Sequence, residues 1–218
     1  MPPLRRPEAG KAVRERLAGP TGALEYRLEA PRGEPRAAAL ICHPHPLYGG
    51  TMDNKVVYTL ARAALACDVV ALRFQFRGVG GSEGAHDGGR GEGEDADFLL
   101  SALQAAYPDR PPLLMGFSFG AYVALACAAR TKAVAGLLTV APPLVYAGEG
   151  PVPQPDCPWL VVHGDADDVV SCEDTRRRAQ ALTTPPRWQT VDGAGHFFHG
   201  QLGELRTAAE DWLNELLD

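Results

Sequence analysis

Ser118 stands at the centre of Gly116-Phe117-Ser118-Phe119-Gly120, which closes an apolar run from Leu113 and opens an alanine-rich segment of helical character. A serine on such a strand-to-helix turn is held in a strained backbone, and glycines flank it because side chains there would strike the adjoining strand and helix. The hydroxyl is then exposed at the carboxyl edge of a sheet. The following helix points its positive end and free N–H groups at the place where an anionic tetrahedral intermediate would form. Plain tight turns use the same pentapeptide, so chemistry requires partners that could activate the serine. A free hydroxyl is a poor nucleophile near neutral pH and needs a histidine as general base, kept in the useful tautomer by a buried carboxylate. Two later stretches offer both: His163-Gly164-Asp165-Ala166-Asp167-Asp168-Val169-Val170 and Asp192-Gly193-Ala194-Gly195-His196-Phe197-Phe198. The order serine, acid, histidine is the one expected for a hydrolase site on a parallel sheet. Spacing leaves open which of Asp165, Asp167 and Asp168 faces His196.

The elements that must position these residues follow from hydrophobic periodicity. Strands are predicted over Gly22–Ala30, Ala37–Cys42, Asp68–Phe76, Pro112–Phe117, Val134–Val140, Trp159–His163 and Arg187–Val191. Helices are predicted over Lys55–Cys67, Glu94–Tyr107, Ser118–Arg130, Glu173–Leu182 and Gln201–Leu217. Seven glycines between Gly80 and Gly93 predict a loop there. Strand and helix alternate almost strictly after residue 36, which implies an α/β fold: a mostly parallel, doubly wound sheet with helices on both faces. In such sheets chemistry collects at the carboxyl ends of the strands, where all three candidate stretches lie.

Composition narrows the classes. A chain of 218 residues, 45% of them hydrophobic, can bury one substantial core. The expected organisation is a loosely held N-terminal arm over 1–20 and one catalytic domain over 21–218. An amphipathic helix docking on a partner is the alternative reading of the arm. A net charge of −6 gives no electrostatic footprint for nucleic acid. No segment is apolar for long enough to span a bilayer, and the arginine-bearing start lacks the apolar core of a signal peptide. Five cysteines without a CxxC pair argue against a disulfide framework and a zinc site, so a reducing, cytoplasmic setting is expected. Cys42, His43 and His45 lie close together, but the prolines between them dictate the backbone and no second ligand group has zinc spacing. Neither a metal nor an organic cofactor is expected. His163, before a turn, reads as a hydrogen-bonded structural residue, and His199 as a polar side chain facing solvent more than one rimming the pocket. The glycine run Gly88–Gly93 matches no phosphate-loop pattern.

The chain resembles the α/β-hydrolases from about residue 22 onward. It is especially similar to small members that carry His43-Pro44-His45-Pro46-Leu47-Tyr48-Gly49-Gly50-Thr51-Met52-Asp53-Asn54-Lys55-Val56. The resemblance implies a nucleophile elbow at Ser118, His196 as general base and acid, and Asp167, on the Gly164-x-x-Asp167-x-x-Val170 pattern, as orienting acid. Asp165 and Asp168 would then bond the turn's own backbone N–H groups. Phe119 would give one oxyanion N–H. The second should come from the loop after the second predicted strand, where Pro44 and Pro46 have none to give; of His45 and Leu47, His45 is favoured. Arg77-Gly78-Val79-Gly80-Gly81-Ser82 resembles a family turn of architectural role. Cap domains of this superfamily are inserted at the position of Ala141–Cys157, and seventeen residues rich in proline cannot build one. The expected site is therefore open, with Leu47, Tyr48, Phe117, Phe119, Val169 and Phe197 as its apolar lining. What is implied is a serine hydrolase, foremost a carboxylesterase acting on short- to medium-chain acyl or aromatic small-molecule esters. A thioesterase or small peptidase on the same triad, or a non-catalytic binding member of the fold, are the alternatives.

Overall fold

The computed structural model describes residues 3–148 and 150–218. Met1 and Pro2 of the expected arm and Glu149 of the proline-rich connection lie outside the described residues. The chain runs β1 (Ala12–Gly19), β2 (Gly22–Glu29), β3 (Ala37–Cys42), α1 (Lys55–Ala66), β4 (Val69–Phe74), α2 (Arg90–Ala106), β5 (Pro112–Phe117), α3 (Phe119–Arg130), β6 (Gly136–Val140), β7 (Trp159–Gly164), α4 (Cys172–Gln180), β8 (Arg187–Val191) and α5 (Leu202–Leu217). All strands join one sheet in the order β1-β2-β4-β3-β5-β6-β7-β8, in which the pairings from β4 to β8 are parallel and those of β2 with β1 and β4 antiparallel. Strands β3 to β7 are buried along their whole length, as near-continuous apolar runs in a sheet covered on both sides must be. Helices α1 and α5 pack on one face, and α2, α3 and α4 on the other.

Topology decides where a site can form. From β3 the chain moves through α1 to β4 on one flank, whereas β5 lies on the other flank of β3. The crevice left at the carboxyl ends of β3 and β5 is a switch point of the kind where ligands bind in open α/β sheets. The elbow after β5 and the His-Pro-His-Pro loop after β3 both open into it. Among its described residues the connection at 141–157 holds only a short 3₁₀ turn, Leu144–Ala147, and no cap domain.

Two expectations are corrected here. The N-terminal stretch is not a loose arm, because Ala12–Gly19 forms β1 and pairs with β2 over its whole length. Its charges obscured it: an edge strand open to solvent keeps charged side chains to block edge-to-edge pairing. Here Arg14 bonds Glu25 at 2.7 Å while Leu17 and Leu4 are buried. Helix α2 begins at Arg90, inside the expected loop, so Gly91 and Gly93 are helical. A Cβ on Gly91 would lie 2.1 Å from an Arg77 guanidinium nitrogen, which explains a glycine where helix propensity disfavours one.

Candidate active site

At the elbow, Ser118 has φ 53° and ψ −123°, a conformation that L side chains rarely adopt. A Cβ on Gly116 would lie 2.3 Å from the Gly120 carbonyl oxygen, and one on Gly120 would lie 2.3 Å from that of His43. Strand, turn and helix can approach this closely only with both glycines. The Ser118 N–H donates to Val140 O at 2.9 Å, tying the strained residue to β6.

The loops after β7 and β8 are drawn together in the same manner. Gly164 lies against Ala194, whose carbonyl accepts the Ala166 N–H at 3.1 Å. This brings His196 Nε2 to 3.0 Å from Ser118 Oγ and His196 Nδ1 to 2.7 Å from Asp167 Oδ2. Asp167 Oδ1 accepts the N–H groups of Val169 and Val170 at 2.9 and 2.8 Å. Burial pushes the Asp167 carboxyl up, and the bonds from His196, Val170 and Val169 outweigh it, leaving the group below the usual aspartate value. The three side chains thus form one hydrogen-bonded line. Of the neighbouring acids, Asp165 accepts the Gly193 N–H at 2.6 Å, across to the next loop, and Asp168 is exposed without a side-chain hydrogen bond among the described residues. The expectation that these two hold the turn's own N–H groups is corrected: Asp167 does so with its second oxygen.

Phe119 opens α3, where the first N–H groups of a helix have no intrahelical acceptor. Across from it, the loop after β3 makes a 3₁₀ turn, Pro46–Tyr48, capped by His45. The Leu47 N–H is taken by His45 Nδ1 at 3.2 Å, whereas the His45 N–H makes no hydrogen bond among the described residues. His43 is structural: its Nδ1 meets Pro44 O at 2.6 Å, its Nε2 accepts the Phe76 N–H at 3.0 Å, and burial lowers its pKa to about 4. Cys42 joins the core on the α2–α3 face. Among the described residues no three His, Cys, Asp or Glu side chains gather as a metal ion would require.

Leu47, Tyr48, Val169 and Phe197 are exposed apolar side chains. Phe117 is not part of that surface. It is fully buried, with its ring 5.0 Å from that of His196, so it supports the histidine from below. The Phe119 ring is also buried, though its backbone borders the site. His163 bonds Gly164 O at 3.1 Å and stacks on Trp188, and His199 is exposed. The Arg77 turn is architectural, with the guanidinium held by Asp95 at 3.0 and 2.7 Å. A cleft of about 790 Å³ lies at the amino ends of β7 and β8, away from Ser118, between Trp159 and Trp212.

Sequence reasoning missed His86, whose Nδ1 lies 2.8 Å from the buried Glu92 carboxylate and whose ring packs on those of His45 and Phe119. It also missed Tyr122 and Tyr146, which stand edge to face beside Phe119. These residues come from a glycine-rich loop, the outer face of α3 and a proline-rich connection. No local pattern marks them.

No family model matches the chain. It is 41% identical to an α/β serine hydrolase homologue from Coxiella burnetii, whose structure it matches at a TM-score of 0.90 over 96% of this chain and 100% of that one. It is 34% identical to a serine hydrolase without a lid from Xanthomonas campestris, at a TM-score of 0.89 over 99% and 97% of the two chains. An uncharacterised protein of Rickettsia prowazekii is 35% identical over 205 residues, 89% of this chain and 86% of its own.

Proposed function

Since the chain belongs to the α/β-hydrolase superfamily, among the serine hydrolases without a lid, we propose that it is a carboxylesterase working through an acyl-enzyme on Ser118. The observation that carries this reading is the continuous line from Ser118 Oγ through His196 to Asp167, at 3.0 and 2.7 Å. With the Nδ1–H donated to Asp167, His196 Nε2 presents a lone pair to the serine hydroxyl and takes its proton as Oγ attacks the ester carbonyl. The oxyanion is received by the N–H groups of Phe119 and His45, the latter favoured because the Leu47 N–H is already engaged. The imidazolium, steadied by Asp167, then protonates the departing alcohol. Water repeats the sequence to release the acid.

Substrate size follows from the open site. Leu47, Tyr48, Val169 and Phe197 offer scattered apolar surface without an enclosing cap, which suits short- to medium-chain acyl groups and aromatic esters. Five unpaired cysteines support a cytoplasmic setting as part of the same reading. A fluorophosphonate probe tests the nucleophile: stoichiometric labelling at Ser118 is expected, and an unlabelled folded protein would overturn the proposal in favour of a binding role. Turnover across matched ester, thioester and peptide substrates then tests the class, with the ester expected to be fastest.

A further inference from the structure

Beside the turn that carries Ser118, aromatic rings follow one another away from the hydroxyl. Phe119 lies 4.8 Å from the His45 ring and edge-on to Tyr146 at 6.4 Å; Tyr146 in turn meets Tyr122 edge-on at 5.6 Å. Tyr122 is one helical turn beyond the nucleophile and donates its N–H to the Ser118 carbonyl. Tyr48 packs on His45 at 4.8 Å. While Phe119 is buried at the centre, Tyr48 and Tyr146 are 86% and 51% exposed, so neither is there to fill the core.

Past Phe119, Tyr122 and Tyr146 border a groove of about 540 Å³ between the amino end of α2 and the outer face of α3, lined on its other sides by the glycines at 88 and 89, by Val123 and Ala126, and by the charged Arg90, Glu94, Asp97 and Arg130. A Cβ on Gly88 would meet nothing within 4 Å, so the groove is open there, whereas one on Gly89 would stand 3.6 Å from the Phe119 ring, which the loop backbone closely approaches. The charges at its rim are all engaged: Asp97 with Arg130 at 2.8 Å, Glu94 with Arg77 at 3.2 Å, and Arg90 with Asp87 at 3.2 Å. Each lining charge thus has an opposite charge beside it, and the groove carries no unpaired charge among the described residues. Tyrosine rings set at 88° to one another offer a flat guest both a π-face and a ring edge, the two geometries aromatic pairs prefer. An alkyl chain of the same length gains contact area only.

We propose that this groove, entered over Phe119 and walled by Tyr146 and Tyr122, seats the aromatic ring of a neutral ester, making arylalkyl esters the preferred substrate class. The inference rests on the serine-esterase reading above. It is tested by pH-stat hydrolysis of two matched pairs, methyl hydrocinnamate against methyl hexanoate and benzyl acetate against hexyl acetate, by the full chain and its Tyr146→Ala and Tyr122→Leu variants. In one pair the wild type is expected to favour the phenyl member by about five- to tenfold in kcat/KM, the scale of one aromatic contact. Tyr146→Ala, on an exposed turn, should bring that ratio near one, with the phenyl ester losing severalfold more than the alkyl ester, which loses contact area only. Tyr122→Leu should act in the same direction. No phenyl preference in the wild type, a preference that survives both variants, or equal losses on phenyl and alkyl esters overturns the subsite. Failure to hydrolyse all four esters, with no phosphonate on Ser118, overturns the esterase reading and the subsite with it.

Discussion

Two imidazole–carboxylate pairs meet the residues around Ser118, and they differ in what stands at the far nitrogen. In both, the carboxylate side chain is fully buried, its oxygens accept two backbone N–H groups, and it holds a histidine Nδ1 at 2.7 Å (Asp167–His196) or 2.8 Å (Glu92–His86). His196 Nε2 faces a strained serine hydroxyl at 3.0 Å. His86 instead lays its ring against His45 and Phe119, at 4.8 and 5.6 Å, and its carboxylate caps α2 through the Gly89 N–H. A fixed tautomer is thus not chemistry by itself. The serine hydroxyl at the other end of the ring makes the difference.

The contrast is broken most severely at that serine, the proposed nucleophile. Ser118→Ala should lower ester turnover by about six orders of magnitude, as in other triads acting as a unit, with the melting temperature little changed. A folded variant with near-normal turnover would falsify the mechanism. Next in size is Asp167→Asn, expected to cost about 10⁴-fold in kcat because the amide favours the wrong histidine tautomer. If Asp165→Asn or Asp168→Asn is the inactive variant and Asp167→Asn stays active, the orienting acid is another residue.

A third imidazole, His43, has no carboxylate, and its neutrality comes from burial. Held near a pKa of about 4 in the folded chain against an ordinary 6.5, it binds no proton between those values while the unfolded chain does. The unfolded state therefore takes up more protons in that window, and stability falls as pH drops from about 6.5 to about 4, by up to about 3 kcal/mol. His163, also lowered mainly by burial, contributes with the same sign. Chemical denaturation at pH 6.5 and pH 4 should show the loss, and His43→Gln should shrink it. An equal loss in that variant would assign the acid limb elsewhere.

How much of this was legible follows from where each signal resides. The elbow, Asp167 and His196 could be read because the chemistry demands particular residue types at strand ends, and the parallel sheet because covered strands are continuous apolar runs. Edge strand β1 hid behind its own charges. The start of α2 hid behind glycines whose reason is an arginine from another loop. Phe117 was misplaced because adjacency in sequence to Ser118 puts it one residue down a strand, under the histidine. His86, Tyr122 and Tyr146 meet only through the tertiary fold, from three segments whose local patterns are silent.

Glu92→Gln separates the two pairs at intermediate size. Every oxygen of Glu92 faces a donor, from His86, Asp87 or Gly89, so the amide nitrogen of glutamine must oppose one of them. The expected cost is about 1–3 kcal/mol of stability, read by denaturant unfolding, with turnover reduced far less than by Asp167→Asn. A 10⁴-fold loss of turnover with stability intact would make His86–Glu92 a partner in the reaction and erase the distinction drawn above.

The smallest effects lie on the turn that carries Asp167, the proposed orienting acid. Asp165 accepts the Gly193 N–H at 2.6 Å and so links the loop after β7 to the loop that presents His196, while Asp168 is exposed and makes no such bond. Asp165→Ala should cost about 1 kcal/mol, the net value of one hydrogen bond, and Asp168→Ala should stay within about 0.5 kcal/mol, as surface substitutions do. Neither removes the His196 contact or the bonds from Val169 and Val170, so kcat should change little in both. Unfolding midpoints and turnover for the two variants decide it. If Asp168→Ala proves the more destabilising, the second oxygen of Asp167 is not what holds this turn.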